Sequence, residues 1–593
     1  MTVLTANARQ VLDRRYLLRD DEGRLVESPE GMFRRVATAV AQAEAPAERE
    51  GWAARFERRM AALEFLPNSP TLMNAGRPHG QLAACFVLPV GDDLESIFDA
   101  LKGAALIHQS GGGTGFSFSR LRPHGDLVRT THGVASGPVS FIRVFDAATE
   151  TIKQGGVRRG ANMAVLRVDH PDILDFVAAK RGPGLGNFNV SVAVTEAFME
   201  AVGGGRSFAL RHPRTGAVVR ELPARDLFRR IAEDAWATGE PGLLFLDRVN
   251  AESPTPDLGP IESVNPCGEQ PLLPFEACTL GSVNLAVMER EGQVDWERLG
   301  GAVRDGVRFL DDVLDVNVWP LPQVAAVSRR NRKVGLGVMG WADLLVRLCV
   351  PYDDPRALEV AGELMSFVQR EARGESERLA ALRGAFPGWG TSAPAARGEP
   401  PRRNATVTTI APTGTLSVIA GCSSGIEPLS AVAYVRHALE GAELLEEHPL
   451  LADRLRGPSA AAPLAAVRAA GRARGIPGVP ADVQRLFATA HDVSPEAHVR
   501  MQAAFQRHVD NGVSKTINLP ADAPIEAVER AFRLAHDLGL KGITVYRDGS
   551  RAGQVLTTGL PGTECPACGA TMARSGGCMS CRSCGYGTCE TTE

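Results

Sequence analysis

Apolar side chains in the first 66 residues recur at helical spacing: Phe33, Val36 and Val40 fall on one face of a run rich in Ala, Arg and Glu. That pattern predicts a helical segment over 1–66 and no chemistry within it. Beyond Pro67 short apolar, β-leaning runs alternate with helical ones. Gln81 to Val90 reads as a buried strand carrying Cys85, Leu94 to His108 and Phe141 to Ile152 as helices, and Met163 to Val168 and Asn187 to Val194 as strands. Trp296 to Val316 is an amphipathic helix, Lys333 to Gly340 a Gly-punctuated strand or turn, and Gly542 to Tyr546 a last strand. Such alternation over several hundred residues predicts an α/β fold with much of its sheet buried.

The connections carry most of the candidate chemistry. Asn68 to Gly76 reads as a turn-rich loop that offers the hydroxyls of Ser69 and Thr71 to a polar ligand, or as a solvated connection. Ser110 to Ser119 clusters glycines, which let a backbone approach a ligand, but it lacks the Gly-Lys-Ser/Thr of a phosphate loop. Lys153 to Asn162 is a basic loop with Lys153, Gln154, Arg158 and Arg159, suited to a nucleotide phosphate or simply solvated. Asn404 to Ser417 reads as a β-branched strand entering the turn Ala411-Pro412-Thr413-Gly414-Thr415 and a helix start, the best anion site of these loops. Two stretches rich in Ala, Pro, Gly and Arg, about 384–403 and 456–482, read as surface loops. Residues 483 to 540 read as largely helical around Ser514 to Pro520.

Composition narrows the function classes. At 593 residues, 44% hydrophobic and 23% charged, the chain has ample material for a large core. Its net charge of −4 argues against a generic nucleic-acid or membrane binder, so any anion is bound at a local site. Met1 to Arg15 has no apolar signal core and no run of eighteen apolar residues occurs, which makes the cytoplasm the expected location.

The eleven cysteines change the picture most. Five are scattered, at 85, 267, 278, 349 and 422, and six crowd the last 29 residues. An odd count without a secretory signal points to metal binding or redox chemistry rather than an extracellular disulfide scaffold. In the tail, Cys565-x-x-Cys568 and Cys578-x-x-Cys581-x-x-Cys584 supply four thiolates for a zinc ribbon and leave two over. With Cys565, Cys568, Cys581 and Cys584 on zinc, Cys578 and Cys589 are the spare thiols; with Cys578 replacing Cys584, the spares are Cys584 and Cys589. Spare thiols can exchange with a disulfide elsewhere.

Ser263 to Cys278 is the densest cluster. Asn265, Cys267 and Glu269 alternate in a segment where Pro266 and Gly268 exclude a helix interior, and an extended chain would put all three on one face. An amide, a sulfur and a carboxylate would then converge, with Cys278 close behind. A turn around a buried, inert thiol accounts for the same residues equally well. Cys85, read alone, favours plain core packing.

Taken together, Asn68 to Leu72, Ala84-Cys85-Phe86, Gly112 to Gly115, Arg158 to Asn162, Asn265 to Glu269 with Cys278, Lys333 to Gly340, Ala411 to Thr415, Ser514 to Pro520 and the Cys-rich tail resemble the class II, adenosylcobalamin-dependent ribonucleotide reductases. The motifs span nearly the whole chain. The resemblance implies a ten-stranded α/β barrel of two antiparallel halves of five parallel strands, with a finger loop inside it. The expected division is a helical segment at 1–66, the barrel at 67–555 and a zinc-ribbon, redox-active tail at 560–593. By resemblance Cys267 carries the thiyl radical that takes the 3′ hydrogen, Glu269 is the base on the 3′ hydroxyl and Asn265 its hydrogen-bonding partner. Cys85 and Cys278 are the dithiol that reduces the 2′ position. Ser69, Thr71, Ala84, Gly113 and Ala411, Pro412, Thr413, Gly414 and Thr415 contact the substrate, the last five cradling its phosphates. Lys153, Gln154, Arg158 and Arg159 bind deoxynucleotide or ATP effectors at the interface of a homodimer, and a thiol donor supplies electrons.

The chemistry fits those roles. Water leaves the 2′ carbon only after a radical forms beside it, so a hydrogen-abstracting sulfur, a base and a two-electron donor must meet within contact. Making the radical needs a cofactor. A class I subunit would carry adjacent tyrosines near the last barrel strand, where Tyr546 stands alone, and a class III enzyme lacks the carboxylate that Glu269 supplies. The N-terminal segment reads as too short for an ATP-binding cone. Ribonucleoside diphosphates are the expected substrates, with triphosphates open. The competing readings are a class I-type subunit that needs a radical-bearing partner, and a non-catalytic nucleotide-binding regulator with a zinc ribbon.

Overall fold

The computed structural model describes residues 4–78, 80–128, 133–154, 158–182, 184–438, 442–456 and 460–550, together with four short strands between 556 and 589. Two compact units divide the chain: 1–348, 353–427 and 494–551 form one, and 349–352, 428–493 and 552–593 the other.

The larger unit opens with three helices, α1 (Ala6–Arg15), α2 (Pro29–Val40) and α3 (Arg49–Ala61). Helix α2 starts where Ser28 caps the Gly31 amide and Pro29 takes the first turn, and it buries Met32, Phe33, Val36, Ala37 and Val40. The helical spacing read from Phe33, Val36 and Val40 is therefore a buried stripe.

Ten strands then form one mixed sheet: β1 (Phe65–Pro67), β2 (Cys85–Val87), β3 (Gly113–Ser117), β4 (Asn162–Arg167), β5 (Phe188–Val194), β6 (Gly242–Phe245), β7 (Glu276–Asn284), β8 (Val334–Met339), β9 (Thr516–Leu519) and β10 (Gly542–Arg547). Strands β2 to β6 are parallel to one another in sequence order. The pairs β7/β8 and β9/β10 are parallel as well, and β7/β2 and β6/β10 are antiparallel. Strand β7 is the hub, with every one of its nine residues buried: its first part pairs β2 and its later part pairs β1 and β8. Between β8 and β9 lie two isolated parallel bridges, Leu336 to Thr408 and Ile410 to Val513.

Several segments differ from the sequence expectation. Ser69–Asn74 is a short helix, α4, because Asn68 accepts the Thr71 amide and Pro70 suits a first turn. The Gly-rich stretch is not a loop but the buried strand β3, which follows helix α5 (Leu94–Gln109). Phe141 to Ile152 falls within helix α6 (Pro138–Thr151) and its cap, and α7 (Trp296–Val316) has the bounds its apolar period predicts, with Asp295 capping Arg298. Asn404 to Ile410 contributes bridges rather than a continuous strand. In the smaller unit, Ala461–Ala470 is helical where a loop is expected; seven of its ten residues are the strong helix formers Ala or Leu.

Among the described residues no helix is long and apolar enough to cross a membrane, and no group of three or more His, Cys, Asp or Glu could hold a metal. Of the expected zinc ligands, Cys565, Cys568 and Cys584 lie outside the described residues. Cys578, Cys581 and Cys589 lie on short strands whose side chains are likewise outside them.

Candidate active site

The central feature is a narrow two-stranded ribbon, Ser263–Val264 against Pro271–Leu272, closed by the turn Asn265 to Gln270. The Gly268 amide donates to the Asn265 carbonyl at 3.0 Å and Asn265 donates its own amide to Gln270 at 3.2 Å. Pro266 second in the turn and Gly268, with φ +82°, at its end are residues such a turn selects. The three side chains therefore do not share the face of an extended chain. Asn265 and Glu269 turn inward, 2% exposed each, while Cys267 stands exposed at the tip.

Glycines make room for this loop. A Cβ on Gly115 of β3 would sit 1.8 Å from the Val264 carbonyl oxygen, and one on Gly113 would meet the Pro266 ring at 2.8 Å. On the other side a Cβ on Gly335 of β8 would meet Gln270 at 2.7 Å. The Gly-rich pattern thus serves a close approach by protein rather than by a phosphate. Asn189 of β5 pins the loop by donating to the Pro266 carbonyl at 2.7 Å, and Gly512 donates its amide to the Glu269 carbonyl at 2.8 Å.

Beneath the loop, β2 and β7 place Cys85 directly opposite Cys278. Directly opposed residues of antiparallel strands have Cβ atoms about 4.5–5.5 Å apart, close to the span of a disulfide. Neither is oxidised, and both are buried in a small apolar cluster with Val87, Leu272, Leu280 and Ala411, against which Ala84 packs. The Asn265 side-chain amide donates to Cys85 Sγ at 3.0 Å and its oxygen accepts the Gln270 amide at 3.0 Å. Burial pushes the thiol of Cys85 well above the ordinary range, with Glu269 and the other two cysteines adding to it, and burial does the same for Cys278. The Glu269 carboxyl is raised to about 7, mainly by burial, and its Oε2 has no hydrogen-bond partner among the described residues. A carboxyl of that kind is poised to take a proton from something placed beside it.

The other expected contacts are distributed unevenly. Ala84, Gly113, Pro412 and Thr415 are half-buried and Gly414 is exposed. Ser69 is half-buried and its hydroxyl is 2.8 Å from that of Tyr16. Thr71 is wholly buried and donates its hydroxyl to the Leu82 carbonyl at 3.0 Å, which places it behind the site wall. Thr413 holds a left-handed φ of +55° at the start of the helix Gly414–Ala420 and accepts the Gly425 amide at 2.8 Å. The backbone of Lys153–Gln154 pairs with Arg158–Arg159, and their side chains lie outside the described residues. Glu276 and Lys333, a buried ion pair next to Cys278, carried no chemical signal in the sequence. Their separation of 57 residues hides the register that joins them.

Family models described as "Ribonucleotide reductase, all-alpha domain" and "Ribonucleotide reductase, barrel domain" match residues 2–80 and 83–546. The chain is 46% identical to a vitamin B12-dependent ribonucleoside-diphosphate reductase of Thermoplasma acidophilum, over 95% of this chain and 81% of that one. It is 51% identical to an enzyme of the same name from Mycobacterium tuberculosis, over 94% of this chain and 81% of the relative. The fold matches the class Id ribonucleotide reductase alpha subunit of Actinobacillus ureae with a TM-score of 0.74 at 23% identity, covering 92% of this chain and 97% of that one. The chain belongs to the ribonucleotide reductase family.

Proposed function

We propose that the protein reduces ribonucleotides, as diphosphates, to 2′-deoxyribonucleotides in a vitamin B12-dependent radical reaction. The observation that carries this reading is Cys85 opposite Cys278, with Asn265 of the Cys267 turn hydrogen-bonded to Cys85. A two-electron donor, a base and a hydrogen-abstracting sulfur then meet in one place.

The residues fit adenosylcobalamin in one specific respect. Cys267 is the exposed member of the cluster, so the Pro266 to Gly268 turn can face a bulky group while Asn265 and Glu269 remain on the buried side. When bound, the cofactor supplies the radical that removes the hydrogen atom of the Cys267 thiol. The Cys267 sulfur takes the 3′ hydrogen of the ribose, and Glu269 takes the proton of the 3′ hydroxyl. Cys85 and Cys278 then give two electrons and two hydrogens, one to the departing 2′ oxygen as water and one to the 2′ carbon, and the pair ends as a disulfide. Cys267 returns the hydrogen atom to the 3′ carbon and Glu269 returns the proton to the 3′ oxygen. Asn265 holds Cys85 and, by our reading, the substrate. Ala411 to Thr415 receives the phosphates; Ala84, Gly113 and Ser69 line the sugar, with Thr71 supporting them.

The isolated bridges at Thr408 and Ile410 support a sheet that closes into a barrel around the turn, within a division of 1–66, 67–555 and 560–593. Exposed Leu94, Phe98 and Leu106 on α5 and Val144 on α6 support a homodimer through these helices, beside the effector loop of Lys153, Gln154, Arg158 and Arg159. A zinc-bearing tail whose spare cysteines pass electrons inward completes the proposal, and the need for reduced thiols favours the cytoplasm. Purified protein with adenosylcobalamin, dithiothreitol and a ribonucleoside diphosphate should yield deoxynucleotide. Product that appears only when a separate radical-bearing subunit is added would sink the reading.

A further inference from the structure

Cys278 has a charged neighbour that the reaction so far leaves idle. In the parallel register of β7 and β8, Thr279 faces Val334, so one residue earlier Lys333 stands beside Cys278. Cys85 and Cys278 are paired across β2 and β7, and Lys333, the residue just before β8, follows next in that line and acts on Cys278 by its charge. Lys333 Nζ lies 2.8 Å from Glu276 Oε2, with side-chain exposures of 1% and 0%. Glu276 is held further by the Leu273 amide at 2.8 Å and by Asn331 Nδ2 at 2.7 Å, which fixes the ammonium in turn. A buried ion pair is weak evidence for stability, since apolar side chains of similar volume commonly serve as well. Its place beside a redox sulfur asks for another explanation.

We propose that Lys333 is a positioning residue that makes Cys278 the leaving sulfur when the Cys85–Cys278 disulfide is reduced, so that the incoming thiolate attacks Cys85. This rests on the reading that these two cysteines are the reductant pair. An external dithiol attacks with one thiolate at Cys85 Sγ. A bond forms between that sulfur and Cys85, the Cys85–Cys278 bond breaks, and the electron pair leaves on Cys278 Sγ beside the Lys333 ammonium. The second thiol of the reductant then attacks the mixed disulfide, forms its own disulfide and releases Cys85. The two protons of the dithiol end on the two cysteines. A sulfur better able to carry negative charge leaves faster. Lys333 draws the Cys278 thiol down, against burial and against the smaller opposing effects of Glu276 and Glu269. At Cys85, Glu269 and the neighbouring thiols work with burial, and only the neutral Asn265 amide opposes them. A full charge outweighs a neutral donor.

The test begins with full-length protein oxidised by one turnover. It is treated with a monothiol probe, quenched by alkylation and mapped by mass spectrometry, and the rate of disulfide reduction by dithiothreitol is measured alongside. The mixed disulfide should form on Cys85. Lys333→Met should slow reduction about tenfold and spread the adduct over both cysteines, whereas Lys333→Arg should restore the rate. Glu276→Gln, which removes the opposing charge, should speed reduction. A merely structural role would move the Met and Gln variants in the same direction, and that result overturns the proposal, as does an adduct on Cys278. The wild-type adduct position decides even if both variants fail to fold. Absence of any Cys85–Cys278 disulfide after turnover would remove the underlying reading too; a disulfide with the wrong polarity would remove this inference alone.

Discussion

Asn265 Nδ2 reaches Cys85 Sγ at 3.0 Å across a sequence separation of 180 residues, and the same side chain accepts the Gln270 amide. One amide therefore ties the turn that presents Cys267 to the strand that presents Cys85. Replacing it with Ala removes both bonds and leaves a buried amide proton unmet, at about 1–3 kcal/mol. Asn265→Ala should lower turnover by about 10²-fold. Steady-state assays paired with thermal melts check this, and a variant that melts earlier yet turns over normally would show that the contact only stabilises.

Glu269 gives a pH signature of its own. In the proposed reaction its carboxyl must be ionised to accept the 3′ hydroxyl proton, and burial raises it to about 7. Turnover should rise with pH through an acid limb near 7, and Glu269→Gln should abolish that limb along with most activity. Stability should run the other way. The folded state holds this proton more tightly than the unfolded chain, so the contribution is fully present below about 4.5 and is lost as pH rises to about 7. The shift is worth on the order of 3 kcal/mol. Denaturant melts of wild type and Glu269→Gln at pH 5 and pH 8 should diverge with that sign.

Gly115 is predicted to be intolerant of any side chain. A Cβ there would lie 1.8 Å from the Val264 carbonyl oxygen, on a backbone that itself belongs to a ribbon and cannot swing aside. Gly115→Ala should cost about 3 kcal/mol or more and abolish turnover. Gly362, on a helix with nothing within 4 Å of its Cβ position, is the control. Gly362→Ala should raise stability by about 0.5–1 kcal/mol and leave activity alone.

The same glycines show where sequence reasoning runs out. Helix α7 was legible because its period and its cap are local, and the strands around Cys85, Met163 and Val190 were legible because apolar runs of that length have few alternatives. Gly113 and Gly115 were read as a ligand-approach loop because what they clear, Pro266 and Val264, lies about 150 residues away along the chain. Ser69–Asn74 looked like a loop since its Asn and Pro, common in turns, also start helices. Cys85, Cys278 and Asn265, which the structure brings together, were grouped only through the motif set as a whole. The turn that separates Cys267 from Asn265 and Glu269 depends on the Gly268 bond to Asn265, which alternation along an extended chain does not anticipate. Lys333 beside Cys278 is a register relationship and was invisible until the strands were paired.

The burial of the proposed dithiol sets the last prediction. Cys85 and Cys278 are 3% and 0% exposed, so a folded protein reductant cannot bring its own active site to them. In the proposed function the electrons come instead from the segment beyond 560, whose six cysteines are two more than a four-ligand zinc site would use. Deleting 560–593 should therefore leave one deoxynucleotide per active site when the electron donor is a protein dithiol. Dithiothreitol, small enough to enter, should restore further turnovers to the same variant. Cys278→Ser in the full-length chain should give no deoxynucleotide under either condition, because the pair is then missing at the first turnover. Quantifying product per enzyme separates these cases, and undiminished multiple turnover by the truncated chain with the protein donor would show that electrons reach Cys85 by another path.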